Sequence, residues 1–130
     1  MSEDSPLRLY AIRVEAVARF EAAQSSPEEN RYIFSYQITI HNMGEVAAKL
    51  LSRHWYITDA NGNLEEAEGE GVVGEQPNLG PGESFEYSSG CSLNTPFGSM
   101  RGKYQMRAED GTEFEADIPE FYLVGPRTLH

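Results

Sequence analysis

The segment RYIFSYQITIHNM, residues 31–43, alternates two kinds of side chain with a period of two. One face carries large apolar and aromatic residues: Tyr32, Phe34, Tyr36, Ile38 and Ile40. The opposite face is more polar and carries Ile33, Ser35, Gln37, Thr39 and His41. Because successive side chains of a strand point to opposite sides of a sheet, this pattern predicts a half-buried β-strand.

Shorter apolar runs, separated by glycine and proline, make up much of the remaining chain. Further strands are predicted at residues 7–20, 50–58, 84–93, 100–108, 112–118 and 121–124. The alternation slips near Ala11 and Ile12, which suggests a β-bulge in the first of these strands. A helix over residues 7–20 is the alternative, but the Val and Ile residues there and the lack of a clean cap count against it.

Two dipeptides that tolerate positive φ, Asn61-Gly62 and Asp110-Gly111, predict hairpin turns. Residues 22–30 read as a polar loop, and no long segment repeats with the helical period. About seven or eight short strands with regular turn signals predict an all-β fold, an antiparallel β-sandwich of two sheets. We expect one domain over residues 1–130, with residues 1–6 as a flexible N-terminal tail.

The predicted strand at residues 50–58 contains the only tryptophan, Trp55. Alternation places Trp55 on one face of this strand together with Leu51, Arg53 and Ile57. We expect that face to point inwards, so that Trp55 packs with Phe34 and Tyr36 at the centre of the sandwich.

The chain is strongly acidic, with 10 Lys and Arg against 21 Asp and Glu and a formal net charge of −11. Such a surface repels phosphate backbones and anionic lipids, so we expect neither nucleic-acid binding nor membrane insertion. The N-terminal residues have charges within their apolar part and resemble neither a signal peptide nor a membrane span. A cytoplasmic location is therefore expected.

The single cysteine, Cys91, excludes an intramolecular disulfide and a cysteine-based zinc site. It lies in a strand pattern and is expected to be a small core residue.

Residues 69–74, GEGVVG, spell the glycine fingerprint of dinucleotide-binding folds. That fingerprint needs a helix directly after the glycines, whereas Val72, Val73 and Pro77 favour extended chain. The surroundings are also acidic, with no Lys or Arg between Arg53 and Arg101. The glycines are therefore expected to mark a bend or a close backbone approach, or a backbone-lined contact site for a partner or an anion.

Four stretches, taken in order, resemble the ApaG family. They are the Arg53-His54-Trp55 strand, the segment from Gly69 to Pro77, the turn Pro81-Gly82-Glu83, and the block Thr95-Pro96-x-Gly98-x-Met100-x-Gly102. The resemblance extends from about Tyr10 to the C-terminal PRTLH.

The resemblance implies a fold similar to fibronectin type III domains, which agrees with the immunoglobulin-like β-sandwich predicted above. It associates the chain with cobalt resistance and magnesium efflux, the basis of the alternative family name CorD. Related domains occur in larger eukaryotic proteins, including an F-box protein and a polymerase-interacting protein, where they resemble protein-interaction modules. The resemblance carries no enzymatic activity over to named residues.

Metal binding is the first chemistry to weigh, because of that association. If residues 44 and 45 form a hairpin turn, His41 pairs with Ala48 and His54 with Ser35, roughly 20 Å apart. The two histidines then cannot share an ion, and His130 lies at the terminus. Residues 65–70 could hold Mg²⁺ weakly, but a solvated acidic face is the better interpretation. We expect no metal site, cofactor or catalytic residue.

Two functions are carried forward. The leading hypothesis is a non-enzymatic interaction module in divalent-cation homeostasis, with an unidentified protein partner. Its candidate surface comprises Gly69, Gly71, Gly74, Glu75, Pro77 and Asn78. The alternative is a small-ligand binder that takes a divalent cation or a pyrophosphate-like anion near residues 69–74. For the anion, the bases that could assist are Arg53, Arg101, Lys103 and Arg107. An unpaired sheet edge would also allow a homodimer.

Overall fold

A computed structural model describes residues 6–126. A short helix α1 (Pro6–Leu9) precedes eight strands: β1 (Ile12–Phe20), β2 (Tyr32–Asn42), β3 (Ala48–Asp59), β4 (Leu64–Glu70), β5 (Asn78–Leu79), β6 (Ser84–Leu93), β7 (Phe97–Ala108) and β8 (Glu113–Val124). Two single-turn 3-10 helices, Ala22–Gln24 and Pro27–Glu29, lie in the predicted polar loop. The predicted flexible tail lies outside the described residues up to position 5, and Pro6 begins α1. Among the described residues, no helix has the length and apolar character needed to cross a membrane.

The strands form two antiparallel sheets, which confirms the predicted β-sandwich. One sheet has the order β1-β2-β6, and the other has the order β4-β3-β7-β8 with β5 also paired to β3. Strands β1 and β8 contact each other, so the sandwich is closed along that side. The opposite side, where β6 and β4 are the outermost strands, is open.

The core lies between the sheets, as the alternation predicts. Phe34, Tyr36 and Trp55 are all buried. The Trp55 ring meets the rings of Tyr36 and Phe121 at centroid distances of 5.5 and 5.9 Å. The edge-on contact between Tyr36 and Trp55 joins β2 to the opposite sheet, to which Phe121 also belongs.

Both predicted hairpins are present. Strand β3 turns into β4 through Gly62 (φ +85°), and β7 turns into β8 through Gly111 (φ +90°). The Asp59 carboxylate accepts backbone N–H bonds from Asn61 and Asn63, at 2.9 Å each, and thereby organises the first turn. The runs predicted separately at 112–118 and 121–124 form one strand, β8, whose register shifts opposite residues 100–102. Pro119 lies at this irregularity, where its missing N–H is tolerated.

The prediction for the N-terminal strand is partly wrong. Residues 6–9 form α1, and β1 begins only at Ile12, so the slip at Ala11 marks the start of the strand and not a bulge. The chain before β1 packs on the connection between β2 and β3, because the Leu9 carbonyl accepts the Glu45 N–H at 3.1 Å.

The hairpin assumed between β2 and β3 for the pairing of His41 and His54 does not form, because these two strands belong to different sheets. The buried Asn42 side chain holds the connection between them: its amide donates to the carbonyls of Val46 and Leu79, and its oxygen accepts the Gly44 N–H. A fully satisfied buried amide of this kind fixes the path of the chain from one sheet to the other.

Strand β3 carries a bulge that the sequence does not reveal. Its register with β7 shifts between Leu50 and Ser52. As a result Leu50 is buried together with Trp55, whereas Leu51, expected on the Trp55 face, is only half-buried. Arg53 keeps its predicted place on the same face of β3 as Trp55, where it is half-buried and pairs with Gly69 of β4.

Candidate functional site

The glycine-rich segment ends β4 and forms a tight turn, with no helix after it. Val72 and Glu75 exchange both backbone hydrogen bonds, at 2.8 and 2.9 Å. The two residues between them have positive φ angles, +42° for Val73 and +82° for Gly74. Positive φ at both central positions is the signature of a type I′ turn. The dinucleotide-binding interpretation is therefore excluded by the local geometry, as the sequence predicted.

The first two glycines of the segment make room for neighbouring groups. A Cβ atom on Gly69 would lie 2.7 Å from the guanidinium of Arg53, and one on Gly71 would lie 2.2 Å from the Glu75 carbonyl oxygen. Arg53 Nη1 donates to the carbonyls of Glu70 and Gly71, at 3.0 and 2.8 Å. Glycine is required at position 71, where a Cβ atom would meet backbone and φ is +59°, whereas a side chain at position 69 would displace the Arg53 guanidinium.

The remainder of the candidate segment runs back along β3. The Gln76 side chain donates to the Leu51 carbonyl at 2.9 Å, and the Leu50 N–H donates to the Pro77 carbonyl at 2.9 Å. Asn78 begins β5 and pairs with Lys49. Within the segment Val72 is fully buried, whereas Val73 is 54% exposed, so the turn is anchored by one valine and presents the next to solvent.

Of the four bases proposed to assist this segment, the structure brings only Arg53 to it. The Arg101 guanidinium lies 4.5 Å from the centroid of the Tyr56 ring. Lys103 and Arg107 pair with Glu115 and Glu113 on β8. Both Arg53 hydrogen bonds come from Nη1 and go to backbone carbonyls, so this nitrogen holds the turn itself.

Two of the four glutamates of β4 contact His54 of β3. Glu66 approaches the Nε2 atom of His54 at 2.7 Å, and Glu68 approaches the Nδ1 atom at 3.2 Å. The imidazole stacks on Tyr56 with ring centroids 4.5 Å apart. The two carboxylates lie at opposite nitrogens of one ring and do not converge on a common point. Within residues 6–126, no three His, Cys, Asp or Glu side chains are arranged to hold a metal ion.

His41 lies in the other sheet, far from the predicted pairing with Ala48. Its ring contacts Ser84 Oγ at 2.7 Å and Glu15 Oε1 at 2.9 Å, across three neighbouring strands. Hydrogen bonds from His41 and Arg13 lower the pKa of the Glu15 carboxyl. The side chains of Glu15, His41 and Ser84 lie on the outer face of the sheet and form a polar ladder across its three strands. His130 lies beyond the described residues.

Cys91 packs at the margin of the core, close to its predicted place. Its Sγ atom lies 3.8 Å from the Met100 sulfur. Burial, followed by the charge of Glu65, raises the pKa of the thiol to about 11. At neutral pH the side chain is therefore a protonated thiol, which is a poor nucleophile.

Sequence reasoning missed an apolar patch at one end of the second sheet. Phe97, Tyr122 and Val124 are exposed by 54, 67 and 55%. Phe97 pairs directly with Val124 across β7 and β8, and Tyr122 follows on the same face. A groove of about 610 Å³ runs past these residues, and its other lining includes Pro27, Tyr32, Pro96 and Pro126. The alternation in residues 121–124 carries the signal, since burying Phe121 and Leu123 turns Tyr122 and Val124 outwards.

Comparison with known proteins gives a consistent result. The sequence profile described as "ApaG domain" matches residues 22–108. The chain is 59% identical over 121 residues to the Protein ApaG of Aromatoleum aromaticum, covering 93% of this chain and 95% of that protein. It is 57% identical over 122 residues to the Protein ApaG of Stenotrophomonas maltophilia, covering 94% and 96%.

A solved structure agrees with the sequence relatives. The crystal structure described as an ApaA protein from Bordetella pertussis superposes with a TM-score of 0.90 at 47% identity, covering 95% of this chain and all of that one. The residues matched by the profile include the strand with Trp55 and the turn at residues 69–75, and the relatives and the solved structure cover more than nine-tenths of this chain. The chain therefore belongs to the ApaG domain family.

Proposed function

We propose that this protein is a non-enzymatic protein-interaction module that acts in divalent-cation homeostasis through a partner protein. The family resemblance supplies the association with cobalt resistance and magnesium efflux. The observation that carries the interaction role is the apolar patch formed by Phe97, Tyr122 and Val124.

The patch is suited to binding a protein partner because its three side chains are large, adjacent and held by two paired strands. Phe97 and Val124 are cross-strand neighbours, so no rearrangement is needed to present them together. Burying a side chain of this size contributes about 1.5–3 kcal/mol, so three neighbours supply a useful anchor for an interface. Contiguous exposed apolar residues on a soluble domain commonly mark such contacts.

The candidate segment of Gly69, Gly71, Gly74, Glu75, Pro77 and Asn78 stays in the proposal as a second contact. Its support is Val73, which a rigid two-residue turn holds out to solvent. A β-branched residue at positive φ is strained, and such strain is often kept where an exposed side chain has a role.

Genetic complementation tests the proposal. We expect deletion of the gene from its host to change cobalt tolerance and magnesium release, and the wild-type gene to restore both. A Phe97→Ser/Tyr122→Ser variant should fold, by circular dichroism, but fail to restore them. Val17→Ser is the matched control, because Val17 is 69% exposed on the other sheet. Unchanged cobalt tolerance after deletion would refute the role in cation homeostasis, and full rescue by the double variant would exclude the patch.

The alternative, direct binding of a cation or a pyrophosphate-like anion, gains no support from the geometry around residues 69–74. The Arg53 guanidinium is bonded to two carbonyls, and Glu66 and Glu68 face His54. An amide-resolved NMR titration with Mg²⁺, Co²⁺ and pyrophosphate, one at a time, separates the two functions. Saturable shifts clustered at residues 65–78 would establish a ligand site and displace the interaction proposal.

A further inference from the structure

Strand β6 forms a free edge of the three-stranded sheet. It pairs with β2 in an unbroken register from Tyr32↔Leu93 to His41↔Ser84. The sheet order places no other strand on its second side. A ten-residue row of backbone groups is therefore available along the open side of the sandwich.

The hydrogen-bond direction shows which backbone groups point outwards. The Asn42 N–H donates towards β6, to the Glu83 carbonyl at 2.9 Å, whereas the Ile33 carbonyl accepts from Glu21, on the β1 side. Even-numbered β2 residues thus bond to β6, and the register matches them with odd-numbered β6 residues. The outward-pointing backbone groups of β6 belong to Ser84, Glu86, Ser88, Gly90 and Ser92, all of which are exposed.

The other edges of the two sheets are protected in ways that β6 is not. Strands β1 and β8 lie against each other, and β8 contains Pro119. Strand β4 carries four glutamates in seven residues. Strand β6 contains no proline or lysine and has Glu86 as its one charged residue. Natural proteins usually block exposed edges with such features, so an unprotected edge of this length indicates a place for an added strand.

Charge determines the kind of strand that fits. A groove of about 240 Å³ separates Leu64 and Glu65 of β4 from Ser92 and Leu93 of β6. Among the described residues Glu65 forms no ion pair, so its charge acts on whatever enters this side. A second copy of the chain would bring another charge of −11 against the same edge and is disfavoured.

We propose that β6 binds an extended, basic segment of a partner protein as an added strand. Backbone hydrogen bonds to the outward groups of β6 supply affinity, and the charge of Glu65, together with the acidic chain as a whole, favours lysine and arginine side chains over acidic ones. The inference rests on the proposed role as an interaction module and names the chemistry of its partner.

A synthetic probe tests this directly on the full chain. The probe is an acetylated and amidated octapeptide that alternates lysine with threonine, and the control peptide carries glutamate in place of lysine. We expect the lysine peptide to shift the amide signals of Ser84, Glu86, Ser88, Gly90 and Ser92 and to slow their hydrogen exchange. The control peptide should bind at least about tenfold more weakly, and added salt should weaken the lysine complex.

Two variants distinguish edge pairing from general attraction. Ser88→Pro removes an outward N–H and leaves the ladder to β2 intact, so it should weaken peptide binding at least about tenfold, whereas Ser88→Ala should bind like wild type. Glu65→Gln leaves β6 untouched and should weaken binding of the lysine peptide selectively, which keeps the test valid if Ser88→Pro does not fold.

Equal binding by Ser88→Pro, absence of shifts at millimolar peptide, or shifts confined to Phe97 and Tyr122 would overturn the inference. Concentration-dependent shifts of the β6 amides without peptide would identify a second copy as the occupant and overturn it as well. None of these outcomes affects the complementation test, which depends on the apolar patch, so failure of the edge proposal is distinguishable from failure of the proposed function.

Discussion

Removing one hydroxyl of the buried Tyr87–Tyr104 pair is expected to destabilise the protein more than removing both. The two oxygens lie 2.5 Å apart between the sheets, and they are each other's hydrogen-bond partner. Burial raises the pKa of Tyr104, and it raises that of Tyr87 to about 12, so both side chains are neutral at pH 7. The pair is therefore a neutral hydrogen bond in a dry environment.

The expected loss of unfolding free energy depends on which hydroxyl each substitution leaves without a hydrogen-bond partner. Tyr87→Phe leaves the Tyr104 hydroxyl without a partner on a residue that is 0% exposed, whereas Tyr104→Phe leaves Tyr87, which is 7% exposed and nearer to water. A buried hydroxyl without a partner costs about 1–3 kcal/mol. We expect a loss of about 2–3 kcal/mol for Tyr87→Phe and about 1–2 kcal/mol for Tyr104→Phe. Removing both hydroxyls leaves no orphaned group and should cost about 0–1 kcal/mol.

Urea unfolding of the wild type, both single variants and the double variant gives the four free energies of a double-mutant cycle. Equal m-values across the set serve as the control that the unfolded states are comparable. The expected coupling is at least about 2 kcal/mol in favour of the double variant. A double variant whose loss equals the sum of the single losses would refute the reasoning, because the two hydroxyls would then contribute independently.

Three further predictions concern the core, the turn and the thiol. Trp55→Ala should lose about 3–5 kcal/mol of unfolding free energy; near-wild-type melting would contradict its central packing. Val73→Asn should gain about 1 kcal/mol, because asparagine tolerates the φ of +42° better than valine; unchanged or reduced stability by urea unfolding would contradict strain there. Since burial raises the pKa of Cys91 from 9.0 to about 11, stability is expected to fall as pH rises from about 9 to 11. The Cys91→Ala variant should lose less unfolding free energy between pH 8 and pH 11 than the wild type does, as measured by urea unfolding. An equal loss in the two proteins would contradict this prediction.

Local pattern predicted the elements of this fold well. The alternation from Tyr32 to Ile40 identifies which face of β2 is buried, because a strand side chain has only two directions to take. Asn61-Gly62 and Asp110-Gly111 predict their hairpins, because the tolerance of positive φ depends on the residue type, and Gly62 and Gly111 do have positive φ. The same reasoning excluded a nucleotide-binding turn at residues 69–74.

The pairing between strands could not be predicted from local sequence pattern. The pairing considered for His41 and His54 assumed a hairpin between β2 and β3, but a buried Asn42 redirects the chain to the other sheet. Its three partners come from neighbouring residues and from Leu79, and only the folded chain brings them together. The bulge at Leu51 likewise depends on the register of β3 with β7, which no local pattern contains.

The sequence by itself therefore determined the strand content, the aromatic centre around Trp55, the acidic surface and the family to which the chain belongs. Tertiary structure alone decided that Gly69 makes room for Arg53, that Phe97 meets Val124 in an exposed patch, and that β6 ends its sheet unpaired. The physical reason is range: alternation and turn preferences act over a few residues, whereas sheet order and surface patches arise from contacts between segments far apart in the chain.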